Sequence, residues 1–293
     1  MTILDGKKLS QQIKEEIAVE VTEIKAAGGK IPHLAAVLVG ENPASQVYVR
    51  NKVRSCEQVG FNSTLIREDA DISEADLLKI IEGLNQNPDI DGFIVQLPLP
   101  KHIDETKVTL AIDPKKDVDG FHPMNFGRMA QGMPSYLPAT PYGIVQMLDR
   151  YNIETSGKHC VVVGRSNIVG TPMSILLSRK AKVGNCTVTL AHSRTKDLVA
   201  EVLRADIIVA AIGRADFITA DMVKEGAVVI DVGINRVEDA TAKRGYRLKG
   251  DVDFEAVAPK CSYITPVPGG VGPMTVTSLL MNTLKSAKGE IYR

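Results

Sequence analysis

Tyr48 and Lys52 stand four residues apart in a segment that reads as helical, so their side chains share one face. A phenol beside an amine is a candidate proton-handling pair, provided burial or a nearby cation gives the lysine access to its neutral form. A solvated lysine next to a half-buried tyrosine is the plain structural account of the same pair. Gln96 is a polar residue closing the apolar run Asp91-Gly-Phe-Ile-Val95, directly ahead of Leu97-Pro-Leu-Pro100. Ligands of open α/β sheets bind at the carboxyl ends of strands, which makes this amide a candidate for orienting one; capping the strand exit is the alternative. Lys116-Asp117-Val118-Asp119-Gly120-Phe121 sets a pair of carboxylates beside a glycine in what reads as a loop, and turn chemistry alone would also account for it.

Two glycine-bearing stretches suggest close approach of a ligand to main chain. In Cys160-Val-Val-Val-Gly164-Arg165-Ser166-Asn-Ile-Val-Gly170-Thr-Pro172 an apolar run ends at a glycine and a second glycine opens a helix-like segment. That is the grammar of a strand–turn–helix phosphate site, although the glycine spacing is not the usual Gly-x-Gly-x-x-Gly and a ligand-free turn has similar chemistry. The following strand leaves through Ser193-Arg194-Thr195 and meets no acid until Asp197. An NAD site usually offers an acid there to the ribose 2′-hydroxyl, whereas a basic or hydroxyl surround suits a 2′-phosphate, so NADP is favoured over NAD. A charge-assisted bond to Arg165 is worth roughly 1.5–3 kcal/mol, enough for a tenfold preference. Farther on, Pro266-Val-Pro268-Gly269-Gly270-Val271-Gly272-Pro273 prescribes a rigid path free of obstructing side chains, either for a ligand or for a tight interdomain turn.

These residues need elements to position them. Leu9, Ile13, Ile17, Val21 and Ile24 mark one face of an N-terminal helix that Gly28-Gly29 stops. Strands are expected at 34–39, 61–67 and 91–97, separated by a helix from Asn42-Pro43 to Val59 and another opened by Ser73-Glu-Ala-Asp76. Alternation of strand and helix argues for a parallel sheet. Met133-Pro-Ser-Tyr-Leu-Pro-Ala-Thr-Pro141, with three prolines in nine residues, is the best boundary, and a helix starts at Thr140-Pro141. Beyond it, strands at 160–163, 186–191, 206–212 and 227–232 alternate with helical patterns near 172–181, 196–204 and 220–225. The second unit thus reads as a doubly wound domain. Residues 233–262, around Lys243-Arg-Gly-Tyr, read as an irregular or hairpin excursion, and Thr275 to Ala287 as a final helix.

Composition narrows the class. The 293 residues are 44% hydrophobic and 24% charged, with 35 basic against 35 acidic side chains. Such a balance gives no pull toward nucleic acid or anionic membrane. No signal segment or membrane-length apolar run is evident, and the four cysteines and five histidines are scattered. Reduced thiols, a cytoplasmic location and no metal site are the expectations.

Taken together, Tyr48-Val-Arg-Asn-Lys52, Val95-Gln-Leu-Pro-Leu-Pro100, Lys116-Asp-Val-Asp-Gly-Phe121, Gly164-Arg-Ser-Asn-Ile-Val-Gly-Thr-Pro172 and Ile264-Thr-Pro-Val-Pro-Gly-Gly-Val-Gly-Pro-Met-Thr275 resemble the bifunctional methylenetetrahydrofolate dehydrogenase/methenyltetrahydrofolate cyclohydrolase family. The resemblance implies a folate-binding domain over 1–139, completed by a C-terminal helix at 275–293, and a Rossmann-like NADP domain over 140–274, with the active cleft between them. It implies Lys52 as the base for water, held by Gln96, with Tyr48 against the folate ring and Asp119 accepting from pterin N–H groups. Val95, Leu97, Pro268, Gly269, Gly270, Val271 and Gly272 would line the substrate site. Gly164, Arg165, Ser166, Ser193 and Ile234 would contact NADP, and the family's homodimer would form through the nucleotide domains. A dehydrogenase of another small substrate and a non-catalytic nucleotide sensor are the rival readings.

Overall fold

The computed structural model describes residues 1–242 and 245–292, so Lys243 and Arg244 of the expected excursion lie outside the described residues. In chain order the elements are β1 (Thr2–Ile3), α1 (Gly6–Ala26), β2 (His33–Val39), α2 (Pro43–Val59), β3 (Asn62–Glu68), α3 (Glu74–Gln86), β4 (Gly92–Val95), α4 (Glu105–Ala111) and α5 (Pro123–Ala130). They continue with α6 (Ala139–Arg150), β5 (His159–Val163), α7 (Gly170–Ser178), β6 (Thr187–Ala191), α8 (Leu198–Leu203), β7 (Ile207–Ala210) and β8 (Val228–Asp231). The chain closes with β9 (Asn235–Glu238), β10 (Tyr246–Lys249), α9 (Phe254–Val257), β11 (Tyr263–Ile264) and α10 (Val271–Ala287).

Two compact units result, Gln11–Ala139 with Val276–Arg293, and Met1–Ser10 with Thr140–Thr275. In the first, β2 pairs in parallel with both β3 and β4, giving the order β3-β2-β4. The buried runs of β2 and β4 suit a sheet whose faces are both covered. Apolar residues of β2, β4, α3 and α4, among them Val37, Leu77, Ile81, Phe93 and Val108, form one core cluster. Helix α2 starts where the sequence says it should: Asn42 accepts from the amides of Ala44 and Ser45, Pro43 fills the first turn, and Gly60 ends it in a left-handed conformation.

The second unit holds a six-stranded sheet in the order β1-β11-β8-β7-β5-β6, parallel throughout. Its core gathers Val161, Ile208, Val229, Val202, Val257 and Ile264 among others. Residues 1–10, read from sequence as part of the first domain, group with this unit because β1 pairs with β11. The expected helix at 220–225 is a single 3-10 turn, Ala220–Met222, ended by Val223, whose backbone is already extended. The last helix starts at Val271 rather than Thr275, since Pro273 falls in its first turn, where an N–H has no helical acceptor anyway. The excursion contains an antiparallel hairpin of β9 and β10. All four cysteines are buried and free. Among the described residues no helix is long and apolar enough to cross a membrane.

Candidate active site

In the three-stranded unit the strand order reverses at β2, so the carboxyl ends of β2 and β4 form a topological switch point, the usual place for a ligand. Helix α2 leaves β2 there and carries Tyr48 and Lys52, one turn apart. Gln96 follows β4 directly, its backbone N–H still bonded to the Val37 carbonyl, so the sheet fixes where its side chain begins. Lys52 Nζ donates to Gln96 Oε1 at 2.9 Å, and Gln96 Nε2 donates to the Leu97 carbonyl at 2.7 Å. The second bond sets the amide so that its oxygen, not its nitrogen, meets the lysine.

Asp119 joins this pair electrostatically. Burial lowers the Lys52 pKa, with the Asp119 charge opposing the shift; burial raises the Asp119 pKa, with the Lys52 charge opposing it in turn. Both side chains keep part of their surface accessible while protein surrounds them on most sides. Asp119 also lines a recess with Phe93, Val95, Leu97, Val108 and Phe121. Tyr48 is 40% exposed, leaving its ring face available to a planar ligand. The structure therefore brings Lys52, Gln96 and Asp119 together, with the buried Val95 and the half-buried Leu97 flanking Gln96 in the chain and Tyr48 one helical turn from Lys52.

Asp119 is presented by a loop that is held from several sides. The neighbouring Asp117, buried, accepts from the amides of Phe121 at 3.2 Å and His122 at 2.8 Å and from Asn125 Nδ2 at 2.9 Å. Its carboxyl is pushed up to about 7 by burial, those hydrogen bonds resisting the shift. On α10, Asn282 Nδ2 donates to the carbonyls of Val118 at 2.8 Å and Leu137 at 2.9 Å. Gly120, at φ 75°, lies so close to Leu137 that an added Cβ would sit 2.7 Å from its carbonyl carbon.

In the six-stranded unit the order reverses at β5, between β6 and β7, and the Gly164 turn leaves β5 at that switch point. A Cβ on Gly164 (φ 122°) would lie 2.1 Å from the Ala211 oxygen, and one on Gly170 would lie 1.9 Å from the Gly164 oxygen. Main chain is packed against main chain, which is why both positions are glycine. Ser166 Oγ accepts from the Val169 amide, and Thr171 Oγ1 donates to the Arg165 carbonyl, fixing the turn while Arg165 and Ser166 stay exposed. After β6, Ser193 is exposed in a turn closed by His192 and Thr195. Asp197, the first acid downstream, caps α8 by accepting from the Ala200 amide. Ile234 is 47% exposed, and its Cδ1 lies 3.6 Å from where a Gly272 Cβ would be. Gly269 (φ 106°) and Gly270 pack against the start of α1: the Gly269 carbonyl accepts from the Lys7 amide, and a Cβ on Gly6 would collide with the Gly270 oxygen at 1.8 Å. Exposed arginine, exposed hydroxyls and a glycine turn backed by a helix N-terminus fit a dinucleotide with an extra phosphate. No group of three or more His, Cys, Asp or Glu side chains among the described residues is arranged to hold a metal ion.

Two residues that hold the Asp119 loop are not evident from the sequence, Asn125 and Asn282, and neither is the holding role of Asp117. One signal was present. Asp-Val-Asp occurs twice, at 117–119 and 251–253, and each time the first aspartate is buried and collects backbone amides.

A doubly wound parallel sheet with a glycine turn at its switch point, in one chain with a second parallel α/β unit bearing a lysine–amide–carboxylate group, defines a two-unit nucleotide-binding α/β protein. Comparison with known proteins makes the class specific. The family model for the tetrahydrofolate dehydrogenase/cyclohydrolase NAD(P)-binding domain matches residues 138–291, and that for the catalytic domain matches residues 4–119. The chain is 65% identical over 287 residues to a bifunctional protein FolD of Cytophaga hutchinsonii, covering 98% of this chain and 99% of that one. It is 61% identical over 293 residues to the FolD of Bacteroides fragilis, covering 100% of each. Among solved structures, the FolD dehydrogenase/cyclohydrolase of Campylobacter jejuni superposes with a TM-score of 0.93 at 46% identity, covering 99% of both chains. The Trypanosoma brucei enzyme, solved with NADP and an inhibitor, gives 0.93 at 35% identity, covering 100% of this chain and 99% of the other. This chain belongs to the tetrahydrofolate dehydrogenase/cyclohydrolase family.

Proposed function

We propose that the chain oxidises 5,10-methylenetetrahydrofolate to 5,10-methenyltetrahydrofolate with NADP and hydrolyses that product to 10-formyltetrahydrofolate. Family membership supports both reactions. The observation that carries the residue assignment is the 2.9 Å contact from Lys52 Nζ to Gln96 Oε1, made under the influence of Asp119. NADP, when bound, supplies the hydride acceptor; Gly164, Arg165, Ser166, Ser193 and Ile234 would hold it. Tyr48 would lie against the folate ring system, with Val95 and Leu97 as apolar wall and Asp119 accepting from pterin N–H groups. Pro268, Gly269, Gly270, Val271 and Gly272 are assigned to substrate on the family resemblance.

Dehydrogenation asks the protein for orientation rather than a base, because the methylene carbon releases a hydride and becomes a cationic methenyl. Hydrolysis asks for a base. Lys52, its ammonium already disfavoured by burial and further by the substrate's positive charge, takes a proton from water as the oxygen adds to the methenyl carbon. The bond from that carbon to N5 then breaks as the hydroxyl closes to a carbonyl; the hydroxyl proton ends on N5, the proton taken by Lys52 passes to solvent, and the formyl group remains on N10. Gln96 keeps the lysine aimed through the hydrogen bond that Leu97 orients. A cytoplasmic homodimer formed through the nucleotide units, without nucleic-acid or membrane partners, completes the reading; sedimentation at micromolar concentration tests the dimer.

The deciding experiment is a spectrophotometric assay with methylenetetrahydrofolate and either NADP or NAD, following methenyl formation and its decay. NADP reduction followed by methenyl decay is expected. Absence of NADP reduction would sink the dehydrogenase reading, and a stable methenyl signal the cyclohydrolase reading.

A further inference from the structure

Beyond β10 the chain turns inward and buries an acid. Asp251 is fully buried, yet its carboxylate is surrounded by donors. Oδ2 accepts from the amides of Ile212 at 2.5 Å and Gly213 at 2.9 Å, and Oδ1 accepts from the amide of Arg214 at 3.0 Å and from Asn235 Nδ2 at 2.8 Å. Three successive main-chain N–H groups converging on one carboxylate is the arrangement proteins use to hold an anion, here supplied by the chain itself. A second buried acid, Asp231 at the end of β8, accepts from the amides of Gly233, Asp251 and Val252. Space is tight: a Cβ on Gly233 would lie 2.2 Å from Asp251 Oδ1, and one on Gly250 would lie 1.7 Å from Asp231 Oδ2.

The segments tied by Asp251 are those at the carboxyl ends of β7 and β8. Ala211, next to Ile212, is the residue whose carbonyl presses on Gly164. Asn235 follows Ile234 directly and opens β9. We propose that Asp251 is a positioning residue of the nucleotide site: its buried carboxylate gathers the 212–214 amides and Asn235, and so fixes the loop that backs the Gly164 turn and the segment that presents Ile234. The proposal rests on the assignment of NADP to this unit. A carboxylate suits the task because it accepts from four donors in different directions without competing donors of its own. An asparagine there would turn an N–H toward main-chain N–H groups and leave at least one buried donor unmet.

Methenyl hydrolysis requires no NADP, so it reports folding independently of the nucleotide site. In full-length Asp251→Asn the KM and the calorimetric Kd for NADP should rise on the order of tenfold or more, with kcat changed far less and cyclohydrolase rate kept. Asn235→Ala, which removes one donor and leaves the carboxylate, should shift NADP affinity the same way by a smaller factor. In the wild type, the amides of Ile212, Gly213 and Arg214 should exchange slowly with deuterium before NADP is added. Unchanged NADP affinity in a folded Asp251→Asn overturns the proposal. If that variant does not fold, unchanged affinity in Asn235→Ala overturns it, as do freely exchanging 212–214 amides in the wild type. Failure of the wild type to bind NADP would instead discredit the assignment of the cofactor.

Discussion

A lysine ammonium ordinarily keeps its proton to about pH 10.5, which makes it a poor base at neutral pH. Burial works against that at Lys52, and Asp119 works the other way by favouring the charged form. The sign gives two expectations. Cyclohydrolase rate should climb with pH as Lys52 gives up its proton, with a midpoint below the usual lysine value. Removing the opposing anion in Asp119→Asn should move the midpoint lower still in the residual activity; an upward move would contradict the coupling. Lys52→Met should cut methenyl hydrolysis by about 100-fold or more, the size of a general-base contribution, while NADP affinity survives. Normal hydrolysis in that variant, measured without NADP, would remove the base assignment. Arg165→Ala should weaken NADP at least tenfold and NAD little, as expected for one lost charge-assisted bond. Equal losses for the two cofactors would show that Arg165 does not read the 2′-phosphate.

At the scale of elements, helix α10 does more than bury Leu279, Leu280 and Leu284. Asn282 holds the carbonyls of Val118 and Leu137 on either side of the loop that presents Asp119. The chain end adds to this, since Tyr292 donates from its hydroxyl to Asn125 Oδ1 at 2.7 Å, and Asn125 in turn donates to Asp117. Asn282→Ala should cost about 1–3 kcal/mol of stability by leaving carbonyls unmet. It should also raise KM for folate with NADP affinity unchanged, which denaturant unfolding and substrate titration would check. Such ties explain what the sequence does and does not disclose. Strands β2, β5 and β8 are legible because each is a short apolar run, and α2 because Asn42, Pro43 and Gly60 mark its ends. Gln96 is legible because it is polar at the end of an apolar strand, and Tyr48 and Lys52 because they stand one turn apart on a single helix. Asn282 is not, because its acceptor lies 164 residues away and nothing near it in sequence hints at a carbonyl to satisfy. Asp251 hides for the same reason, within a stretch that reads as irregular. The 3-10 turn at Ala220–Met222 is indistinguishable from a helix in sequence, because a few apolar residues cannot tell one turn from several.

At the scale of the whole molecule, the buried acids set a pH dependence opposite to that of surface ion pairs. Asp117 is pushed up to about 7 and Asp231 to about 6, both chiefly by burial. A carboxyl that holds its proton more tightly folded than unfolded favours the native state fully below the unfolded value of 3.8, and that contribution is lost as pH rises through 6 and 7. The urea midpoint should therefore fall between about pH 4 and pH 7, and Asp117→Asn should flatten the fall. A midpoint that rises over this range would show that other groups dominate. The four cysteines lead to a different kind of experiment. Burial pushes the thiols of Cys56 to about 12 and of Cys186 and Cys261 to about 11, and holds that of Cys160 well above the ordinary range. A reagent that attacks thiolates must then wait for the structure to open. Cys56 belongs to the unit with the three-stranded sheet and the other three to the unit with the six-stranded sheet, so the label's position records which part opened. NADP at 100 times its Kd adds about 2.7 kcal/mol to the form that binds it. Labelling of Cys160, Cys186 and Cys261 should slow accordingly, with Cys56 as an internal clock, and unchanged rates at all three would place the cofactor elsewhere.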